Sequence, residues 1–186
     1  MRPHPLLLAL LLVACGGSSA AGPPTTIRPA TTVAPTTAPA TTTTTSPTAA
    51  DEAAIRKVLQ GYHDAVLRIG RSPDPEDPAL DLYLTGEMRE GARQFWSDRR
   101  ARGVITRPAV NSRRSFRVMF VHVSGDHATS RECVVDDGLQ VAKASGRVID
   151  ASVVTTTMTT TALRVGPVWK LASRSGIEQK GAVQCG

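Results

Sequence analysis

The apolar residues of this chain change their spacing near residue 103, and this change restricts the fold more than any other feature. Before it, they recur every three or four residues, as on one face of an α-helix. After it, they alternate with polar residues, as in β-strands. Helices that precede a run of strands predict an α+β fold, with the N-terminal helices packed in a curved antiparallel sheet.

Two long helices are predicted. The first spans residues 51–69, with Asp51 and Glu52 at its start and Gly70 at its end. A proline-rich break at 72–78 separates it from a short helix at 78–83. The second long helix spans Gly86 to Arg102, with Thr85 as N-cap and Gly103 as stop. Its expected buried residues are Met88, Ala92, Phe95 and Trp96.

Strands are predicted at 115–123, 127–135, 151–165 and 168–173, joined by turns at Ser124-Gly125-Asp126 and Gly166-Pro167. Residues 138–150 fit either an irregular strand or a loop, and residues 176–186 read as a tail. We expect the sheet to fold over the first helix, so that the helices meet Phe116, Val118, Met158 and Trp169.

The chain before residue 51 has a different composition. Residues 21–50 are nearly all Thr, Pro and Ala, which supply too little apolar surface to form a core. The domain prediction is therefore a leader at 1–14, a disordered linker at 15–50 and one folded domain at 51–186.

The start of the chain predicts export and anchoring. A basic residue, Arg2, precedes an apolar run that is too short to span a bilayer. The ending Leu12-Val13-Ala14-Cys15 resembles the lipobox of bacterial lipoproteins. That resemblance implies a signal peptide at 1–14 and an acylated Cys15 held in the lipid bilayer, outside the cytoplasm. The alternative is an ordinary signal peptide with an unrelated cysteine.

Two further cysteines remain for the folded domain. Cys133 and Cys185 are expected to form a disulfide if the protein is exported to an oxidising compartment. The alternative is two buried free thiols.

The order of elements resembles the nuclear-transport-factor-2-like superfamily, a cystatin-like, cone-shaped α+β barrel. The resemblance is carried by the helix at 55–69, the helix ending in Phe95-Trp96 and the hairpin Val165 to Leu171. Lipoproteins with this domain on a Thr/Pro stalk are an actinobacterial type. The superfamily includes isomerases, dehydratases and polyketide cyclases, which use an Asp or His inside the cone, often with a Tyr.

The weak catalytic candidates are Tyr62, His63 and Asp64 on the first helix. His63 and Asp64 point about 100° apart on a helix and cannot share a face, and Tyr62 lies on the apolar stripe and also fits a core position. No convergent acid–base set follows, so catalysis is not expected. The residues expected to line a pocket are Tyr62, Phe95, Trp96, Phe116, Met158 and Trp169.

The remaining histidines, aspartates and arginines are possible sites for metals, cofactors and charged partners. His122 and His127 flank a turn without a third metal ligand, and no cofactor motif is present, so neither a metal nor a cofactor is expected. Asp136 and Asp137 fit either strand-end turn residues or an acidic pair at the mouth of the cone. An arginine-rich stretch between Arg99 and Arg117 fits a solvated surface or a contact with an anionic surface. Nucleic acid is not expected, because only 4% of residues are aromatic.

The sequence thus predicts a membrane-anchored extracytoplasmic lipoprotein. Its domain would bind a small apolar ligand or an envelope protein without catalysis. The alternative is an isomerase-, dehydratase- or cyclase-like enzyme that uses acid–base groups in the cone.

Overall fold

A computed structural model describes residues 47–181 and Cys185. The expected signal peptide, Cys15 and the linker up to residue 46 lie outside the described residues. Three helices come first: α1 (Pro47–Arg71), α2 (Pro78–Tyr83) and α3 (Gly86–Ala101). Within this part of the chain, no helix combines the length and the apolar character needed to cross a membrane.

Seven strands follow and form two antiparallel sheets. The larger sheet has the order β2-β3-β6-β7, and the smaller one has the order β1-β4-β5. The strands are β1 (Val104–Arg107), β2 (Ser115–Ser124), β3 (His127–Asp136), β4 (Leu139–Ala142), β5 (Val148–Asp150), β6 (Val154–Val165) and β7 (Val168–Lys180). The helices pack against these curved sheets, which confirms the predicted α+β class.

The core forms where the apolar stripe of α1 meets one face of the larger sheet. Ile55 and Leu59 are almost fully buried, and Leu171 of β7 has no exposed surface. Val121, Ala128 and Ala162 complete this end of the sheet face, and Trp96 of α3 joins the same cluster. Burial of such side chains is the main stabilising contribution to a domain of this size.

Helix α1 begins at Pro47, four residues before the expected start at Asp51, so residues 47–50 belong to the helix and not to the linker. Proline suits a first helical turn, and Ala49 and Ala50 are strong helix formers. Asp51 therefore lies inside the helix. Its carboxylate accepts hydrogen bonds from the Arg164 guanidinium (2.5 Å) and the Trp169 indole Nε1 (3.1 Å).

A bulge in β2 changes which side chains face the helices. The pairing of β2 with β3 shifts between Val118 and Phe120. Phe116 and Val118 point towards the core before the shift, and Val121 does so after it. Phe120, which strict alternation places inside, is 46% exposed. An extra residue in one strand reverses the facing of all later residues, which explains the difference.

Four strands were missed, left open or shortened by the sequence prediction. β1 lies at 104–107, where no strand was expected, and residues 138–150 contain the short strands β4 and β5. β7 continues to Lys180, beyond the expected end at Ser173, so residues 176–180 are not a tail. These five residues are exposed, the apolar Ile177 among them, and this part of the strand forms by pairing with residues 154–158 of β6.

A disulfide joins Cys133 to Cys185, with 5.7 Å between their Cα atoms. Cys133 is buried in β3 at 2% exposure. The bridge attaches the last part of the chain to an inner strand of the larger sheet, as the cysteine count predicted.

Candidate ligand-binding cleft

The core fills one end of the concave sheet face, and a cleft occupies the other. Its narrower part, which we call the inner chamber and which is lined mainly by half-buried side chains, has a volume of about 180 Å³. Most of its wall is apolar, with His63, Arg114, Asp136, Thr156 and Arg174 as the polar groups. The chamber is lined by His63, Val66, Leu67, Arg114, Phe116, Val134, Val135, Asp136, Thr156, Met158 and Arg174.

A wider space of about 570 Å³, which we call the mouth, adjoins the chamber. The two share Val66, Leu67, Arg114, Asp136 and Thr156, so they form one cleft. Helix α3 contributes Phe95, Trp96 and Arg99 to the mouth. The smaller sheet contributes Thr106, Gln140 and Asp150, and Gly138 lies beside it just before β4.

His63 lies on the chamber wall, stacked on Phe116 with 4.5 Å between the ring centroids. Burial lowers the pKa of this imidazole, while the nearby charges of Asp64 and Asp136 act in the opposite direction. The lowered pKa keeps His63 neutral at pH 7, so one of its ring nitrogens can accept a proton.

A buried polar network lies beside the chamber. Glu132 has no exposed surface, and its carboxylate accepts hydrogen bonds from Ser130, Thr160 (2.8 Å) and the Arg174 guanidinium (3.2 Å). The Nε of Arg174 donates to Thr160 Oγ1 at 2.8 Å. The Arg174 guanidinium also lies 5.2 Å from the centre of the Tyr62 ring. All three donors hydrogen-bond to Glu132, so its carboxylate is held within the network.

The sequence analysis missed Glu132 and Arg174. A signal was present, because alternation through β3 places Ala128, Ser130, Glu132 and Val134 on one face. A glutamate on the same face as buried alanine and serine indicates an interior charge that needs a partner. Arg174 is identified as that partner only by the pairing of Thr160 with Arg174 across β6 and β7.

The structure separates the three catalytic candidates. Tyr62 is buried beneath Arg174, and burial raises the pKa of its phenol. His63 faces the chamber. Asp64 is exposed on another face of α1, where it accepts a hydrogen bond from the Gln60 amide at 2.9 Å. Only His63 therefore reaches the inner chamber.

The expected pocket residues fall into three places. Phe116 and Met158 line the inner chamber, whereas Phe95 and Trp96 line the mouth. Tyr62 lines a neighbouring groove between α1, α3 and β7, together with Phe95 and Trp96. Phe95 is 49% exposed and packs edge-on against Trp96, so it is not the core residue that its spacing suggested.

The expectation that Trp169 lines the pocket is wrong. Its side chain is 3% exposed and lies in the core, at the far end of the sheet face. Its indole is held between the Asp51 carboxylate and the Arg164 guanidinium, which lies 4.5 Å from the ring centre. The alternation of side chains along β7 correctly places Trp169 on the inner face of the sheet. Only the packing of α1 decides which interior space this side chain fills.

The arginine-rich stretch does not form one surface. Arg99 is buried at the mouth, and Arg114 lies in the cleft wall beside Asp136. Arg100 is exposed and pairs with Asp74, whereas Arg107, Arg113 and Arg117 are exposed elsewhere. A shared contact of all these cations with one anionic surface therefore stays a prediction.

Acidic and metal-binding candidates have other roles in the described chain. Asp136 lines the mouth and binds Arg114, and Asp137 is buried and accepts hydrogen bonds from Ser112 (2.7 Å) and the Arg113 backbone. His122 and His127 are exposed. Residues 47–181 and Cys185 contain no group of three His, Cys, Asp or Glu arranged to hold a metal ion.

Comparisons with solved structures show relatives of this fold. The intermembrane space region of the chloroplast protein ARC6 is 16% identical, with a TM-score of 0.55 over 69% of this chain and 98% of that one. A conserved protein from Planctomyces limnophilus is 18% identical, with a TM-score of 0.50 over 71% of this chain and 98% of that one. An NTF-2-like protein of unknown function from Silicibacter pomeroyi is 14% identical, with a TM-score of 0.42 over 68% and 94%.

No family model matches the sequence, and no curated protein matches it. At identities of 16% and 18%, the first two structures show a shared fold and nothing about activity. The function must therefore be argued from the cleft.

Proposed function

We propose that this protein is a lipid-anchored, extracytoplasmic binding protein that holds a small, largely apolar molecule in its cleft. The observation that carries the proposal is the inner chamber, which has apolar walls and opens into a wider mouth. Concave, mostly apolar spaces with a few polar groups are typical of small-molecule sites. Apolar surface buried in such a site contributes about 25 cal/mol per Å² before the costs of association.

The arrangement of charges favours binding over catalysis. Glu132 is the most buried carboxylate near the chamber, and Ser130, Thr160 and Arg174 all bind it. A general base must instead reach the proton that it removes. This network supports the shape of the cleft wall and leaves Glu132 no free position from which to act.

Ligand capture tests the proposal directly. Thr156 lines both the chamber and the mouth, so Thr156→Phe should fill the passage between them. Thr159 is exposed on the opposite face of the same strand, which makes Thr159→Phe a matched control. We expect native mass spectrometry of protein purified from its own cells to show a bound small molecule in the wild type and Thr159→Phe. Equal occupancy in Thr156→Phe, or an empty wild type, would contradict binding in the cleft.

One observation favours a second function. His63 lies on the chamber wall, and its lowered pKa leaves the imidazole in the unprotonated form from which a general base can remove a proton next to a carbonyl. An isomerase or dehydratase acting through His63 is therefore the alternative.

Enzyme assays separate the two functions. Isomerase and dehydratase substrates should be offered to the wild type, His63→Gln and Asp64→Asn, since Asp64 lies outside the chamber. We expect no turnover by any of them. Turnover that His63→Gln abolishes and Asp64→Asn retains would replace the binding proposal with the enzyme.

Anchoring rests on the Leu12-Val13-Ala14-Cys15 segment, outside the described residues. A diacyl anchor at Cys15, with residues 1–14 removed, would hold the domain at the outer surface of the cell membrane. We expect the wild type to enter the detergent phase on partitioning and Cys15→Ala to stay in the aqueous phase. Identical partitioning would remove the anchor from the proposal. Contact with an envelope protein stays a prediction.

A further inference from the structure

We propose that the mouth of the cleft contains an anion-binding subsite built on Arg99 and Arg114. The molecule that fits the cleft then has an apolar body in the inner chamber and a carboxylate, or an oxyanion of similar shape, at the mouth. The inference rests on the proposed binding function and defines its ligand class.

Arg99 is a buried cation without a bound carboxylate. It is 6% exposed, and its guanidinium donates to two neutral acceptors, Thr106 Oγ1 (3.0 Å) and Gln140 Oε1 (3.3 Å). Its Nε has no hydrogen-bond partner among the described residues. Burial of a charge is unfavourable unless an opposite charge compensates it. Arg99 lines the mouth, from which a compensating anion can approach, and it also borders a separate groove that contains Asp74.

The end of helix α3 does not account for this burial. The negative end of the helix dipole favours any cation in the last turn, including the neighbouring Arg100. Arg100 obtains that benefit while exposed and paired with Asp74. Arg99 instead extends inward to β1 and β4, where it borders the mouth.

Arg114 supplies the second cation of the subsite. Its Nε donates to Asp136 at 2.8 Å and lies 3.7 Å from the Asp137 carboxylate, and its Nη2 is buried without a partner among the described residues. Gly138 makes room for this guanidinium, because a Cβ at that position would lie 1.7 Å from the Arg114 Nη2. The absence of a side chain at 138 thus allows Arg114 to lie in the floor of the mouth.

The other charges at the mouth leave Arg99 without an ion pair, although the negative charge of Asp136 favours its charged form. Arg102 and Lys180 add positive charge, while Asp136, Asp150 and Glu178 are the carboxylates there. Asp136 is held by Arg114, and Asp150 accepts a hydrogen bond from the Ser152 backbone at 2.8 Å. In the described chain, none of the three carboxylates forms an ion pair with Arg99.

The two parts of the cleft together define the ligand. Val66 and Leu67 line both the chamber and the mouth, so an apolar chain can run continuously from one to the other. A guanidinium presents a planar set of donors that matches a carboxylate. A short fatty acid has both features.

Decanoate, decan-1-ol and decyltrimethylammonium are suitable probes, because they share an alkyl chain and differ in the charge of the head group. Affinity is measured by calorimetry on the full-length protein at fixed ionic strength, and NMR of the arginine Nε–H groups locates the site. We expect the wild type to bind decanoate at least about tenfold more tightly than decan-1-ol and to bind the cation weakly or not at all. The Arg99 Nε–H resonance should shift with decanoate.

Two variants with one control test the residues. Arg99→Gln should bring the two affinities close together, whereas Arg100→Gln, which removes the same charge one residue away, should retain the preference. Gly138→Ala keeps the Arg99 side chain but forces both the Arg114 guanidinium and the Thr106 methyl group, 1.7 and 2.8 Å from the added Cβ, to move. It should weaken decanoate binding several-fold without changing decan-1-ol binding. This variant keeps the test valid if Arg99→Gln does not fold.

The outcomes separate this inference from the proposed function. Equal binding of decanoate and decan-1-ol by the wild type would overturn the anion subsite and leave the binding function in place. A preference that survives in both Arg99→Gln and Gly138→Ala would also overturn the subsite. No binding of any probe would count against the binding function itself, and the subsite would fall with it.

Discussion

Glu132 lies in the middle of the concave sheet face, and its carboxylate is shared by three donors. Buried charges of this kind are tolerated only when their partners stay in place. His63 shows the other solution, since burial keeps its imidazole neutral. At the scale of the residue, the interior of this domain therefore accepts a polar side chain when it is hydrogen-bonded, as Glu132 is, or uncharged, as His63 is.

Removal of the negative charge of Glu132 should destabilise the domain. Glu132→Gln keeps the size of the side chain but leaves the Arg174 guanidinium without its counter-ion. Hydrogen bonds to charged groups contribute about 2 kcal/mol, so we expect the free energy of unfolding to fall by about that amount. The control Glu90→Gln removes an exposed charge and should change it by less than about 0.5 kcal/mol. Urea denaturation measures both, and similar small effects would show that the network adds little stability.

The lowered pKa of His63 predicts a loss of stability in mild acid. The folded pKa lies below the unfolded value of about 6.5, so below that pH the unfolded chain binds a proton that the folded chain does not. The free energy of unfolding therefore falls as the pH drops below about 6.5, by at most about 1.4 kcal/mol per pH unit from this group. His63→Gln should flatten that part of the profile. Parallel wild-type and variant curves would show that His63 titrates normally.

At the scale of the element, two glycines allow helix α1 to pack closely against its neighbours. A Cβ on Gly70 would meet Thr106 of β1 at 3.3 Å, so this glycine allows close packing inside the helix and does not end it. Gly61 has the same role against α2, since a Cβ there would lie 2.6 Å from the Tyr83 ring. Helix propensity and packing therefore oppose each other at both positions.

Two glycine substitutions in helices separate these effects. Gly91 on α3 has open space around it, so Gly91→Ala should stabilise the protein by about 0.5 to 1 kcal/mol through helix propensity alone. Gly61→Ala gains the same propensity but forces the Tyr83 ring to move, and such overpacking costs about 1 to 3 kcal/mol. We expect Gly61→Ala to be less stable than the wild type by about 1 kcal/mol in thermal or urea unfolding. An equal gain for both variants would show that Tyr83 moves aside freely.

At the scale of the whole molecule, the larger sheet gains a covalent link to the end of the chain. Cys133 and Cys185 are separated by 52 residues, and the loop closed by their bridge contains β4 to β7. Strand β7 forms one edge of the sheet, and its last residues are all exposed to solvent. The link therefore restrains the part of the domain with the least core.

Loss of this link should lower stability substantially. The chain-entropy model assigns about 4 kcal/mol to a loop of this length. We expect the double variant Cys133→Ser/Cys185→Ser to unfold at a lower urea concentration, and dithiothreitol to shift the wild type towards it. Peptide mapping without reductant should recover the two cysteines in one fragment. Two free thiols after anaerobic purification would disprove the pairing.

Much of the fold could be predicted from local patterns. The helical spacing of Ile55, Leu59 and Ile69 indicates the buried face of α1. Alternation indicates β2, and the run of Thr and Val indicates β6. Gly103, with a φ of +62°, ends α3 as expected of a residue without a Cβ. These patterns involve residues that are close together in the chain, so they can be recognised in the sequence alone. The remaining cysteine pair was likewise evident from composition and the expected compartment.

Only the tertiary structure decided what faces the cleft. The bulge after Val118, the pairing of polar β7 residues with β6, and the meeting of Glu132 with Arg174 all depend on register between distant strands. The packing of α1 placed Trp169 in the core and His63 in the chamber, although both lie on inward faces. Local sequence determines which elements form and which faces are apolar. Long-range pairing and packing determine which side chains share a space, because residues far apart in the chain must meet there.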